Sequence, residues 1–207
     1  TTLFPESELG WRLMGGSYFG LARWESAVDA YSQAISINSE DYTTRVDLAY
    51  ALQMLGKYED ALEQAKKAHS IVPNSVVTIQ RVGLIEFDLK HYEKAAKAFE
   101  DCVRVDPDGI YWHKYAAVSW GNNGDHAKAL VNAKLATEQQ NRDIDAFVVL
   151  ARSQVALGKH AEALKSLRIA LAGDVPDAAT RIFENEWFKD LHETDGWKLL
   201  KKDFPTD

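Results

Sequence analysis

The sequence predicts an all-α fold of tandem helix pairs, because its residues repeat with a period of 34. A fixed period of this length is the signature of repeat architectures. Five consecutive units each carry three small residues, separated by twelve and then seven positions. These residues are Gly15, Ala27 and Ala34; Ala49, Ala61 and Ala68; Gly83, Ala95 and Cys102; Ala117, Ala129 and Ala136; and Ala151, Ala163 and Ala170. Turn-forming residues between the predicted helices complete the pattern.

A pair of antiparallel helices in each unit explains the small positions, since helices approach closely only where the side chains at their crossing are small. Gly56, Gly124 and Gly158 stand where first helices should end, as carboxy-terminal caps do. Pro73 and Pro107 mark the ends of second helices, because proline cannot continue a helix. A ring at one position of every unit is predicted to cover the turn between its helices: Trp24, Tyr58, Tyr92, His126 and His160.

The segment after Pro176 leaves the register of the repeat but stays amphipathic. We predict capping helices over residues 178–207, because the last unit of a solenoid would otherwise expose its apolar face to water. The residues expected to plug that face are Trp187, Phe188, Leu191, Trp197 and Leu200. Docking of this aromatic tail on a partner is the alternative interpretation.

The composition is that of a soluble globular protein, with 46% hydrophobic and 27% charged residues among 207. A net charge of −7 with scattered basic residues argues against a nucleic-acid partner, which needs a concentrated basic face. The longest apolar run, Ala146 to Ala151, is far shorter than the roughly 20 residues that span a bilayer. The chain begins without Met and without a signal pattern. Both a cytoplasmic protein and a periplasmic one with a removed targeting segment therefore stay open.

Residues for catalysis or cofactor binding do not form a recognisable motif in this sequence. It contains no phosphate-binding glycine loop, no HExxH and no GxSxG. The six histidines have structural explanations, as His126 and His160 replace turn aromatics, so no metal site is predicted. Cys102 is the single cysteine and stands where the other units have alanine, which indicates a small buried residue. We predict a protein that is not an enzyme and holds no cofactor.

The repeat resembles the tetratricopeptide repeat family over residues 8 to 177. The first unit has the family's signature residues at Trp11, Gly15, Tyr18, Ala27, Tyr31 and Ala34, and the second at Leu48, Gly56, Tyr58, Ala61, Ala68 and Pro73. The fourth unit departs mildly, with His113 where tryptophan is frequent and Ala133 where an aromatic is common. The resemblance implies a right-handed superhelical solenoid. Its expected divisions are an extension at 1–7, units at 8–41, 42–75, 76–109, 110–143 and 144–177, and the cap at 178–207.

The resemblance also implies a concave groove lined by the first helix of each unit, where partner peptides lie. Carried onto this sequence, the partner-binding residues are Arg12, Phe19, Val46, Tyr50, Met54, Arg81, Leu84, Phe87, Tyr111, Lys114, Tyr115, Val118, Val148 and Arg152. Much of this set is apolar or aromatic, and exposed apolar patches mark binding sites. We therefore predict that the groove accepts an apolar or amphipathic segment, oriented by the basic residues.

The best-known ligand of the family, the acidic carboxy-terminal tail of a heat-shock chaperone, does not fit this groove. The family grips that tail with lysine, arginine and asparagine side chains. The corresponding residues here are Arg12, Gly16, Asp47, Val77 and Arg81. Asp47 would meet the ligand carboxylate as a like charge.

The function predicted from the sequence is a non-catalytic module for protein–protein interaction, an adaptor or assembly scaffold that binds a peptide segment of a partner. Three alternatives stay open. The chain could escort a hydrophobic segment as a chaperone does, form the repeat domain of a larger protein with an enzymatic part, or assemble into a homo-oligomer. The sequence names neither the partner nor the compartment.

Overall fold

A computed structural model describes residues 7–139, 143–173 and 175–206. Every regular element in these ranges is helical, so the predicted fold class is confirmed. The chain divides into two compact units, Thr1–Pro107 and Asp108–Asp207. We call them the amino-terminal unit and the carboxy-terminal unit and describe each by itself.

The amino-terminal unit consists of three helix pairs. Its helices are α1 (Glu8–Gly20), α2 (Trp24–Ile37), α3 (Tyr42–Met54), α4 (Tyr58–Ile71), α5 (Val76–Asp88) and α6 (Tyr92–Val105). Each helix packs on the next through α6, so successive pairs stack along the chain. Ser7 and Asp41 begin α1 and α3 as amino-terminal caps, each accepting a hydrogen bond from a backbone N–H of the first turn.

The carboxy-terminal unit contains two further helix pairs and the segment that follows them. Its helices are α7 (Trp112–Asn122), α8 (His126–Gln139), α9 (Ile144–Ala156), α10 (His160–Leu171), α11 (Ala178–Phe183), a 3₁₀ helix (Glu186–Leu191) and α12 (Asp195–Asp203). Helix α9 packs between α8 and α10, and it also contacts the 3₁₀ helix. Asp143 caps α9 by accepting a hydrogen bond from the N–H of Ala146.

The small residues of the repeat are buried at the helix crossings, as predicted. The second of the three small residues in each of the five repeats is an alanine with no exposed surface, and Cys102 is equally buried in α6. Neighbouring side chains set the size that each position tolerates. A Cβ atom on Gly15 would lie 2.6 Å from the ring of Tyr31, and one on Gly83 would lie 3.1 Å from the ring of Phe99. Glycine therefore stands where the facing helix presents an aromatic ring.

The turn inside each pair has one residue in the left-handed backbone region. Gly56, Gly124 and Gly158 hold this position with φ of 72°, 85° and 71°. The same register position is occupied by Ala22 with φ 55° and Lys90 with φ 61°, which the glycine pattern did not reveal. Each turn is closed by a hydrogen bond from the next residue's N–H to a carbonyl five residues earlier, the pattern of a Schellman cap.

The segment from α11 to α12 closes the apolar face of the last helix pair. Phe188, Leu191, Trp197 and Leu200 are each no more than 2% exposed and share one core with residues of α9 and α10. These four side chains form the plug that the sequence predicted. Trp187 does not, because it is 44% exposed. The 3₁₀ helix turns Phe188 inward and leaves its neighbour on the surface.

Candidate functional site

In the amino-terminal unit, aromatic side chains of α1, α2 and α3 lie together. The ring of Phe19 lies 4.9 Å from that of Trp24 and 4.8 Å from that of Tyr50. Tyr50 remains 38% exposed. The three rings therefore form a continuous aromatic surface from α1 to α3, with Tyr50 at its open side.

Arg81 on α5 extends this surface. Its guanidinium lies over the ring of Tyr50, 4.1 Å from the centroid, and donates a hydrogen bond of 3.0 Å to Oε1 of Gln53. Gln53 in turn donates to a carboxylate oxygen of Asp88. Burial lowers the pKa of Arg81 below its ordinary value, while Tyr50 and Asp47 oppose that shift. Stacking and hydrogen bonding together fix the guanidinium plane against the tyrosine ring.

An open cleft of about 580 Å³ lies beside Arg81. Its lining residues come from α3, α4 and α5: Tyr50, Gln53, Met54, Tyr58, Gln80, Arg81, Leu84 and Asp88. Met54 is 47% exposed, and Leu84 is partly exposed at the cleft wall. The cleft thus combines an aromatic ring, a flexible thioether and an aliphatic wall with amide and charged groups. Apolar walls with a few polar groups are typical of sites that bind a ligand side chain.

Charge around the cleft is mixed. Partial withdrawal from water raises the pKa of the Asp47 carboxyl, whereas Arg81 and Arg12 lower it. Arg12 also lies 3.6 Å from a carboxylate oxygen of Glu8. Arg12 and Arg81, two of the basic residues predicted to orient a partner, therefore already have acidic neighbours. Because Asp47 interacts electrostatically with Arg81 and Arg12, it weakens the attraction of these arginines for an acidic peptide.

In the carboxy-terminal unit, the predicted residue Tyr111 immediately precedes α7, which carries the predicted residues Lys114 and Tyr115. The rings of Tyr111 and Tyr115 lie 6.4 Å apart, and Tyr111 is 47% exposed. Nζ of Lys114 lies 2.7 Å from Oδ2 of Asp143, and both side chains are 15% exposed. Lys114 thus braces the start of α9, because Asp143 is the cap of that helix.

Arg152 on α9 lies against Trp187 of the capping segment. Its guanidinium is 4.0 Å from the indole centroid, and it donates a hydrogen bond of 2.7 Å to Oδ1 of Asn122. The sequence pattern predicts Arg152 as a binding residue, but it places Trp187 in the core. No sequence signal marks Trp187 as exposed, because the capping segment lies outside the repeat register.

The remaining predicted site residues differ in accessibility. Val46 is 6% exposed and belongs to the core of its unit. Val118 and Val148 are partly buried against core residues, and the ring of Phe87 packs edge to face on Tyr92 at 5.3 Å. We therefore leave Val46 out of the surface offered to a partner. The binding roles of the other residues stay predictions.

The described ranges contain no group of three or more His, Cys, Asp or Glu residues that could hold a metal ion. Burial, with Asp101 and Asp106 adding to the effect, raises the pKa of the Cys102 thiol to about 12. A thiol of that kind is a poor nucleophile at neutral pH. In the same ranges, every helix is too short or too polar to cross a membrane.

Stacked helix pairs with small residues at their crossings define a helical repeat protein. Family models described as tetratricopeptide repeat match residues 13–75, 78–108 and 145–168, which together make up more than half of the sequence. The chain belongs to the tetratricopeptide repeat family. The resemblance read from the sequence is thereby confirmed.

Curated relatives match only part of the chain. Hsp70-Hsp90 organizing protein 3 of Arabidopsis thaliana is 29% identical over 96 residues, which is 46% of this chain and 17% of the relative. Small glutamine-rich tetratricopeptide repeat-containing protein 2 of Mycosarcoma maydis is 30% identical over 94 residues, 45% of this chain and 27% of that protein. The aligned segments thus span about a quarter or less of these relatives.

Solved structures show the same fold at low identity. MamA of Desulfovibrio magneticus RS-1, from residue 41 to its end, has a TM-score of 0.76 and 17% identity, covering 81% of this chain and 94% of that one. YrrB, described as a TPR protein with an unusual peptide-binding site, has a TM-score of 0.71 and 17% identity, covering 82% and 87%. At such identities the likeness establishes the fold alone.

Proposed function

We propose that this chain is a non-catalytic protein-binding module whose cleft between α3, α4 and α5 accepts an apolar side chain of a partner segment. The observation that carries the proposal is the cleft of about 580 Å³ with Tyr50, Met54 and Leu84 on its walls. Exposed aromatic and arginine side chains dominate the energy of protein interfaces. Here Tyr50 and Arg81 are already stacked, so little side-chain entropy is lost when a partner binds.

The partner segment is expected to be amphipathic, not simply acidic. An aliphatic or aromatic side chain would enter the cleft, while its backbone or polar groups would meet Gln80 and Gln53 at the wall. Asp47 and Asp88 make the surroundings of Arg81 electrically mixed. A free carboxylate gains less from Arg81 than it would from an unopposed cluster of basic residues.

One curated relative supports protein binding in general. The name of the Arabidopsis relative says that it organises Hsp70 and Hsp90. An organising role fits an adaptor or assembly scaffold. The acid at Asp47 favours a hydrophobic anchor over a chaperone tail as the ligand of this chain.

Selection from a random peptide library displayed on phage tests the proposal, because it does not require the partner to be identified first. Selected peptides should share a large apolar residue, and their affinity for the Y50A/L84A variant should fall at least tenfold, since central anchors contribute about 2 kcal/mol or more. The matched control is L199A, which removes a leucine that is 52% exposed on α12. It should leave affinity unchanged.

The outcome can contradict the proposal in two ways. Peptides that bind the Y50A/L84A variant as tightly as the original chain would place the site elsewhere. Peptides that lose their affinity when the terminal carboxylate is amidated would show recognition of an acidic tail instead of an apolar anchor. Circular dichroism must first show that the variant is as helical as the unaltered protein.

A further inference from the structure

The outward face of α8 differs from the same face of the second helices before it. Ala127, Val131 and Leu135 are spaced four apart, so they form one stripe along the helix. Val131 is 59% exposed, Leu135 is 38% exposed, and Ala127 is also exposed. We call these three residues the α8 stripe.

The repeat supplies an internal comparison for this stripe. At the same register positions, α4 has Glu59, Glu63 and Lys67, and α6 has Glu93, Lys97 and Asp101. On those helices, Lys67 and Glu63 approach to 2.5 Å and Lys97 and Glu93 to 2.6 Å, which suits a face in contact with water. In α8 all three charged positions have become apolar. Single exposed apolar residues are ordinary, and α10 has Ala161 and Ile169 at two of these positions, but among the second helices only α8 has no polar residue at any of the three.

The core side of α8 does not account for the stripe. Ala129, Leu130, Ala133 and Ala136 are buried on the opposite side of the helix, where α8 packs on α7 and α9. Val131 and Leu135 are not among the buried residues of that packing. An i, i+4, i+8 row is also a ridge of the kind that fits the groove of a second helix.

Lysines flank the stripe on both sides of Val131, and the exposed Glu138 lies one turn beyond Leu135. Lys134 is exposed beside Val131, and Lys128 lies on the other side, 4.0 Å from the Trp120 centroid and 2.9 Å from Oδ2 of Asp125. The stripe has lost the acids of its counterparts on α4 and α6, in a chain of net charge −7. Charge complementarity therefore favours an occupant that carries acidic residues beside its own apolar row.

We propose that the α8 stripe docks an amphipathic helix of a partner protein, with acidic residues flanking the partner's apolar row. This surface shares no residue with the α3–α5 cleft, so it goes beyond the function proposed above. A chain with both surfaces would be able to recognise two different segments.

Synthetic helical peptides test the docking. One labelled peptide of about five turns would carry a leucine row flanked by glutamates, and a matched peptide would carry lysines in place of the glutamates. Fluorescence anisotropy should show binding of the acidic peptide to the intact chain and at least tenfold weaker binding of the basic one. The variant V131K/L135D reproduces the two residues of α6 and should weaken the acidic peptide at least tenfold. The peptides selected for the α3–α5 cleft should bind this variant unchanged.

Several results would overturn the proposal. They are no binding of the acidic peptide to the intact chain, equal binding to the V131K/L135D variant, or equal binding of the basic peptide. Sedimentation at increasing protein concentration tests the other occupant. If the intact chain associates with itself and the V131K/L135D variant stays monomeric, the stripe binds a second copy, and the acidic partner helix is refuted.

Discussion

Replacement of Gly15 by alanine tests whether the ring of Tyr31, on the facing helix, is the reason that glycine stands at this helix crossing. In an unconstrained helix this change stabilises by about 0.5–1 kcal/mol, because glycine loses more backbone entropy on folding. At Gly15 the new Cβ would lie 2.6 Å from two ring carbons of Tyr31, so the ring or the backbone must shift. Overpacking of this kind destabilises by about 1–3 kcal/mol. The net expectation is a loss of up to about 2 kcal/mol.

Gly16 provides the matched control on the same helix. Its added Cβ would lie 3.8 Å from the Tyr31 hydroxyl oxygen, an ordinary contact, so G16A should stabilise the fold. Urea unfolding followed by circular dichroism should therefore separate G15A from G16A by about 1–3 kcal/mol. Hydrogen exchange in α1 and α2 would show whether the loss is local, since repeats can unfold from an end.

A compensating change makes the test specific. Unit five pairs Ala151 with Leu167 at the two positions where unit one pairs Gly15 with Tyr31. The double variant G15A/Y31L should be more stable than the sum of its single variants predicts, by about 1 kcal/mol or more. Equal stability of G15A and G16A, or additive effects in this cycle, would refute the reasoning from ring size.

Two further predictions concern turns and caps. Lys90→Gly should raise the free energy of unfolding by about 1 kcal/mol, because Lys90 has φ 61° in the left-handed region. Gly56→Ala should lower the free energy of unfolding by a similar amount. Thermal unfolding measures both changes, and a lower stability of Lys90→Gly would contradict the strain argument. Burial raises the pKa of Asp41, but hydrogen bonds from Thr43 and Thr44 outweigh burial and lower this pKa. The ionised carboxylate therefore stabilises the fold fully above its unfolded pKa of about 3.9, and this stabilisation is lost as pH falls through the folded pKa. Asp41→Ala should destabilise by about 1 kcal/mol at pH 7 and by much less at pH 3, and a pH-independent difference would rule out the ionised cap.

The fold could be predicted because the same packing of two helices recurs five times in the sequence. Small residues at one register position and rings at another define where two helices cross and where they turn. The left-handed turns at Ala22 and Lys90 were missed, because neither residue type signals a positive φ. Only comparison with Gly56 at the same register position could have found them. The pairing of Gly15 with Tyr31 could have been read from the sequence, because the second repeat has Ala49 at the position of Gly15 and the smaller Ala65 at the position of Tyr31.

The candidate site was less predictable, because exposure depends on neighbours outside the pattern. The register placed Tyr50 and Arg81 on first helices, but their stacking at 4.1 Å depends on how α3 and α5 pack. Val46 shares that helix face by sequence and is nevertheless buried. Trp187 lies outside the repeat, so only its hydrophobicity indicates a place in the core. Its neighbour Phe188 is buried there instead, and Trp187 is exposed.

Comparison between repeats also distinguishes residues that could bind a partner from residues that the packing of the fold requires. A residue that the fold requires recurs at its register position, whereas a residue selected for a partner has no reason to recur. Tyr50, Leu84 and Arg152 occupy one register position with different chemistry, and Val131 stands where the second helix of every other repeat has a charged residue. A scaffold must hold two segments at once, whereas an escort needs one. If the acidic helix and a cleft peptide bind the intact chain together, and Y50A/L84A and V131K/L135D each remove only one, the scaffold follows. If either double variant removes both ligands, the two surfaces act as one site and the escort is the better description.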